Sequence, residues 1–186
     1  MTNRDLTPLD IVRGLLRTRQ FRQFSPEPPT DEQVNALVDI ARWSGSSRNS
    51  QPWRFIVVRD RDVLKQIHDA GLPTTRALAT ASVAIAIALP DEHHVSNAFD
   101  EGRAAERILI GAQMLGLGAG IAWASPGIYH LVAQLLGLPN GWFVRTMVVV
   151  GHPTEEALKP KSAPGTARKP CEEMVFEERW PAHKYE

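Results

Sequence analysis

Trp43-Ser44-Gly45-Ser46-Ser47-Arg48-Asn49-Ser50-Gln51-Pro52-Trp53-Arg54-Phe55-Ile56-Val57-Val58 sets a compact polar run between a helical pattern and a strand pattern. Upstream, Val34, Leu37, Val38, Ile40 and Ala41 recur at helical spacing behind Thr30, a good N-cap, and predict a helix from about Asp31 to Trp43. Downstream, Trp53 to Val58 is rich in aromatic and β-branched residues and predicts a strand. The polar run is then a tight connection. Gly45 and the serines offer backbone N–H and hydroxyl groups at close range, and Asn49 and Gln51 add carboxamides that donate and accept together. A planar heterocycle suits such an edge, although the same composition also makes an ordinary surface loop.

Working outward, Pro8 to Arg17 carries Leu9, Ile11, Val12, Leu15 and Leu16 along one helical face behind Thr7. Arg61 to Ala70 predicts a short helix that ends near Gly71 and Pro73. Val83 to Leu89 alternates large aliphatic residues with alanine and predicts a covered strand. The strongest helical stripe runs from Ala98 to Leu115, where Ala104, Ala105, Ile108, Leu109, Ala112, Met114 and Leu115 share a broad face. Gly116, Gly118 and Gly120 then read as a helix stop with close backbone packing, since the strand, turn and helix context of a dinucleotide fingerprint is missing. A short strand is expected at Ile121 to Ala124, a helix from Ser125-Pro126 to Leu136, and a third clear strand at Trp142 to Val150. Pro160 to Pro170 reads as extended, and Glu172 to Trp180 as a last edge element. Helices outnumber strands and no regular βαβ series is present, so the fold class is α+β, with residues 1–186 as one domain carrying an extended basic, proline-containing C-terminal segment from about residue 153.

Acidic and basic residues balance at 21 each, so no global field gathers nucleic acid or an anionic membrane. The single Cys171 leaves no internal disulfide, which fits a reducing compartment such as the cytoplasm. The N-terminus shows no signal segment, and the longest mostly apolar run, Ala81 to Leu89, is too short to span a bilayer as a helix. The six histidines are dispersed with no HExxH or paired-cysteine setting, so no metal is expected, and His93 and His94 read as loop residues. Ser47 has no nucleophile elbow. Asp100 and Glu101 read as acids at the start of the long helix, where its dipole favours them. Arg19 and Arg22, three apart, can share a face and hold a phosphate and a second electron-rich group, or stand solvated.

In order, four blocks resemble the FMN-dependent nitroreductase family. Thr18-Arg-Gln-Phe-Arg22-Gln-Phe24 is similar to the family's R-[RH]-S-x-[RK]-x-F, with Thr18 and Gln20 departing from it. Gly45-Ser-Ser-Arg-Asn-Ser-Gln-Pro-Trp53 is similar to P-S-x-x-N-x-Q-P-W, with Gly45 in place of proline. Asp100 to Ala112, running on to Leu115-Gly-Leu-Gly118, resembles the central dimer helix and its ending. Gly151-His-Pro153 and Ala167-Arg-Lys-Pro-Cys-Glu-Glu-Met-Val175 resemble a G-[YH]-P turn and a late R-x-P-x-E-E-V segment.

The resemblance implies an α+β fold with a central, mostly antiparallel sheet flanked by helices in an intertwined homodimer. It implies bound FMN, reduced by NAD(P)H in a ping-pong cycle in which flavin N5 carries the hydride to a nitroaromatic, quinone or similar small acceptor, so that no side chain acts as nucleophile. Arg22 is expected beside flavin N1 and O2, Arg19 and Arg168 on the phosphate, and Gln20 on the ribityl chain or phosphate. Ser46, Ser47, Asn49 and Gln51 are expected at the ring edges, partly from the other subunit, and Trp123, Ala124 and Ser125 near N5. Alternatives are a different chemistry on the same fold, reductive dehalogenation or an oxidase, or a flavin- or small-molecule-binding protein with little turnover. No long lid is evident between Ala70 and Ala81 or between Leu89 and Asp100.

Overall fold

The computed structural model describes residues 7–92, 95–163 and 166–180, so His93 and His94 lie outside the described residues. In chain order the elements are α1 (Pro8–Gly14), α2 (Asp31–Arg42), β1 (Arg54–Val58), α3 (Arg61–Gly71), β2 (Val83–Pro90), α4 (Val95–Met114), β3 (Gly118–Trp123), α5 (Tyr129–Leu136), β4 (Trp142–Gly151), α6 (Glu155–Leu158) and α7 (Cys171–Met174). Single 3-10 turns follow α1 and precede β1, β2 and α5. No helix among the described residues is long and apolar enough to cross a membrane.

The four strands form one antiparallel sheet in the order β1-β2-β4-β3, with β1 and β3 at its edges. The alternation seen in β2 is resolved by its two faces. Ile85, Ile87 and Leu89 pack with Val148 and Val150 against α2 and α4, through Leu37 and Ile108. Ala84, Ala86 and Ala88 face the other way, where Met147 and Val149 meet Leu64 and Ile67 of α3 and Val132 of α5. Both faces are therefore covered, as the unbroken apolar pattern of a central strand requires.

Thr30 begins α2 with a capping box, its hydroxyl accepting from Gln33 N–H while the Gln33 amide accepts from Thr30 N–H. Three expectations are corrected. The Glu172 to Trp180 edge element is instead the short helix α7 followed by irregular chain. α4 starts at Val95 rather than at Ala98, so Asp100 and Glu101 sit in its second turn. β3 starts at Gly118 rather than at Ile121, pairing with β4 from Gly151 onward, with Gly118 making room for the side chains of Phe21 and Pro153 and Gly120 for the Phe21 backbone.

The register fixes where the site can be. Phe55, Ile87, Thr146 and Trp123 are successive partners across β1, β2, β4 and β3. The start of β1 and the end of β3 thus lie at the same end of the sheet but on opposite edges, three strand spacings or about 14 Å apart.

Candidate functional site

The open edge of β3 is lined by two segments distant in sequence. Phe21 N–H donates to the Ala119 carbonyl at 2.8 Å, and Ile121 N–H donates to Gln20 Oε1 at 3.2 Å. Lower down, Trp123 N–H donates to the Thr74 carbonyl at 3.2 Å and the Thr74 hydroxyl donates back to the Trp123 carbonyl at 2.6 Å. Gly120 makes this closeness feasible, since a β-carbon there would lie 2.0 Å from the Phe21 carbonyl oxygen.

Beside that edge, Arg22, Arg76 and Lys161 line one cleft of about 450 Å³ with Gln23, Thr80 and the ring of Phe21. Among the described residues none of the three cations has a carboxylate partner. Three unpaired positive groups at one cleft repel one another, and an anion relieves that repulsion. Arg76 and Lys161 were not anticipated. Arg76 had a signal, being the one Lys or Arg between Lys65 and Arg103.

The neighbouring predicted residues are placed differently. Arg19 donates to the carbonyls of Ala157 at 2.9 Å, Leu158 at 2.6 Å and Lys159 at 3.1 Å, and its guanidinium lies 4.6 Å from the Phe21 ring centroid. The structure thus engages Arg19 with the C-terminal carbonyls of α6, where a cation complements the helix end. Gln20 spends its carbonyl oxygen on β3, which leaves its N–H groups for a ligand. Arg168 is exposed and donates to the carbonyl of the adjacent Ala167. Trp123 is 46 % exposed, Ala124 is buried with its N–H on the Arg145 carbonyl at 2.8 Å, and Ser125 is exposed.

The Ser46–Gln51 turn sits before β1, on the far edge. Ser47 N–H donates to Asp100 Oδ2 at 2.8 Å, Gln51 N–H to Ser46 Oγ at 2.9 Å, and the Gln51 side chain to Asn49 Oδ1 at 3.2 Å. Arg48, Asn49 and Gln51 have φ of 52°, 55° and 47°. Left-handed backbone at non-glycine residues costs energy, of order 1 kcal/mol each, and clusters where a loop must present its groups in one shape. Gly45 also has a local reason. The Arg103 guanidinium packs over the turn, 2.2 Å from where a β-carbon of residue 45 would be, so a larger residue there would displace that flexible cation. One chain alone does not bring Ser46, Ser47, Asn49 and Gln51 to the groove that holds Gln20 and Arg22.

Asp100 and Glu101 correct the reading of acids at a helix start. Both are buried, Asp100 holding Ser47 N–H and Arg103 and Glu101 paired with Arg145 of β4. Tyr129 lies nearby, with its ring 5.0 Å from that of Phe143. Burial pushes the Tyr129 phenol up from its usual range, against a smaller pull downward from Arg145 and with a small push from Glu101.

The nitroreductase family model matches residues 15–83. A protein of Archaeoglobus fulgidus that carries the name NADH dehydrogenase/NAD(P)H nitroreductase is 32 % identical over 160 residues, covering 79 % of this chain and 87 % of its own. An FMN reductase (NAD(P)H) of Bacillus subtilis is 27 % identical over 85 % of this chain and 72 % of its own. The structure of an FMN-dependent nitroreductase from Clostridium difficile superposes with a TM-score of 0.78 over 90 % of this chain and 99 % of that one, at 20 % identity, and so shares the fold. Since the likeness to the Archaeoglobus protein runs through most of both sequences, the chain belongs to the nitroreductase family.

Proposed function

We propose that this protein is an FMN-dependent oxidoreductase that takes reducing equivalents from NAD(P)H and passes them to a small acceptor such as a nitroarene or quinone. The carrying observation is the trio Arg22, Arg76 and Lys161 at one cleft, without carboxylate partners among the described residues. The donor set fits the group. A phosphate dianion takes charge-assisted hydrogen bonds from guanidinium and ammonium alike, and an electron-rich ring edge is favoured by a guanidinium. The names of the Archaeoglobus and Bacillus relatives support the same assignment.

When bound, FMN supplies hydride acceptance and donation, chemistry that no side chain here offers. The residues do the rest. Arg22 provides positive charge for the pyrimidine edge of the ring. Arg76 and Lys161 hold the phosphate, with Arg168 as a further phosphate ligand from the exposed C-terminal segment and Arg19 positioning that segment through α6. Gln20 offers its amide N–H groups to the ribityl hydroxyls. Trp123, Ala124 and Ser125 border the ring, and the partial exposure of Trp123 leaves an apolar surface over which a planar substrate can stack.

Ser46, Ser47, Asn49 and Gln51 reach the ring of a second copy. The distance between sheet edges supports this, as do the uncovered apolar residues of α1, none of which is buried, and Phe99 and Met114 on α4. A homodimer would cover these faces and close the groove at once.

The test is steady-state NAD(P)H oxidation by FMN-loaded protein with and without nitrofurazone or menadione. An acceptor-dependent rate is expected with at least one of them. FMN-loaded protein that oxidises NAD(P)H no faster with either acceptor would defeat the proposal.

A further inference from the structure

The pair formed by buried Glu101 and half-buried Arg145 has no part in the proposal above. Arg145 is the extra residue of a bulge, because Ile87 pairs with Thr146 and Ala88 with Val144, which skips it. Such bulges re-aim a side chain out of the ladder's alternation. Here the guanidinium lies 5.2 Å from the Trp123 ring centroid and 5.9 Å from that of Phe143. Both Nε and Nη2 donate to Glu101 Oε2, which leaves the Nη1 N–H groups without an acceptor among the described residues.

The pair is lopsided. The Glu101 side chain is 3 % exposed and that of Arg145 is 22 % exposed, so an approaching molecule meets the guanidinium, with the carboxylate beneath it. Stability alone does not call for this arrangement, since apolar side chains of similar volume usually serve as well as a buried ion pair. Glu101 instead fixes the direction of a fork-shaped donor between two aromatic rings. A fixed fork matches a carboxylate, and the rings match a flat aromatic body.

We propose that Arg145 is a specificity-determining residue that selects planar aromatic electron acceptors bearing a carboxylate, with Glu101 as its positioning residue. This rests on the reading of the β3 edge as the cofactor groove, because Trp123 is shared between the two. Tyr129, the other titratable group near the pair, stays neutral at ordinary pH and does not compete for the guanidinium.

The experiment uses FMN-loaded protein and two acceptors of closely similar shape, 4-nitrobenzoate and uncharged 4-nitrobenzamide, read as the ratio of their kcat/KM values. Benzoate binding to the same protein is followed by calorimetry. The variant Glu101→Gln/Arg145→Gln keeps a polar pair without leaving a buried charge alone, and Glu101→Leu/Arg145→Met serves if the first does not fold. Each should lower the ratio roughly tenfold, the scale of one charge-assisted hydrogen bond, and weaken benzoate in parallel. An unchanged ratio with unchanged benzoate affinity, or wild-type protein that does not bind benzoate, overturns the assignment. If neither acceptor is reduced but benzoate binding still depends on Arg145, the anion site stands and the oxidoreductase reading falls.

Discussion

The carbonyl oxygen of Phe21 stands 2.0 Å from the point where a β-carbon of Gly120 would be. Because the neighbour is backbone, it cannot swing aside as a side-chain tip would. The segment that carries Gln20 and Arg22 is therefore seated on β3 by the absence of a side chain. Gly120→Ala should push that segment off the strand, costing about 1–3 kcal/mol as overpacking does and weakening FMN. Urea unfolding and flavin fluorescence check the two effects, and a variant with unchanged stability and affinity would contradict the contact.

Arg19 separates structure from ligand binding. Its three carbonyl contacts tie the segment that carries Gln20 and Arg22 to the end of α6. Arg19→Ala should cost about 1–2 kcal/mol of stability, below the value of fully buried charged hydrogen bonds because part of the guanidinium is wet. Its loss of FMN affinity should be smaller than that of Arg22→Ala, measured by the same titration. A larger loss would return Arg19 to the phosphate.

Tyr129 gives a signed expectation for pH. With its phenol raised by burial, the folded state holds the proton at pH values where the unfolded chain has released it. The folded state then binds more protons, so stability falls as pH rises through and above about 10. Tyr129→Phe should flatten that loss. From pH 9 to 11 the wild type should lose melting temperature relative to Tyr129→Phe, and a difference that stays constant with pH would contradict the raised phenol.

The apolar side chains of α1 and of the 3-10 turn after it point to association. Leu16 is 85 % exposed and Val12 is 60 % exposed in the single chain. Light scattering should return twice the 20.6 kDa of one chain. Leu16→Glu should shift the mass toward one chain and release flavin together with the partner. A wild-type monomer that retains FMN would contradict a site shared between copies.

Much of this was legible from local pattern. Thr30 with Gln33, the alternation in β2 and the polar run after Trp43 each carry their meaning within a few residues. What the sequence hid is non-local. Gln20 meets Ile121 across 101 residues, and Glu101 meets Arg145 across 44, so neither pairing leaves a spacing signal. Asp100 and Glu101 fit a helix-start explanation only if α4 begins at Ala98; with the helix under way from Val95 they are buried side chains with partners of their own. Gly116 does stop α4, in the left-handed region at φ 73°, whereas Gly118 and Gly120 belong to a strand defined by its distant partner β4 and by Phe21 on its other edge.

The most direct test of the central claim is an equilibrium titration of FMN, followed by quenching of its fluorescence, into wild-type protein and into Arg22→Ala/Arg76→Ala. The wild type should bind one FMN per chain. The double variant should bind it at least roughly 100-fold more weakly, as the loss of two charge-assisted contacts implies. A wild type that leaves FMN fluorescence unchanged, or a double variant with wild-type affinity, would contradict the placement of the cofactor at the cleft of Arg22, Arg76 and Lys161.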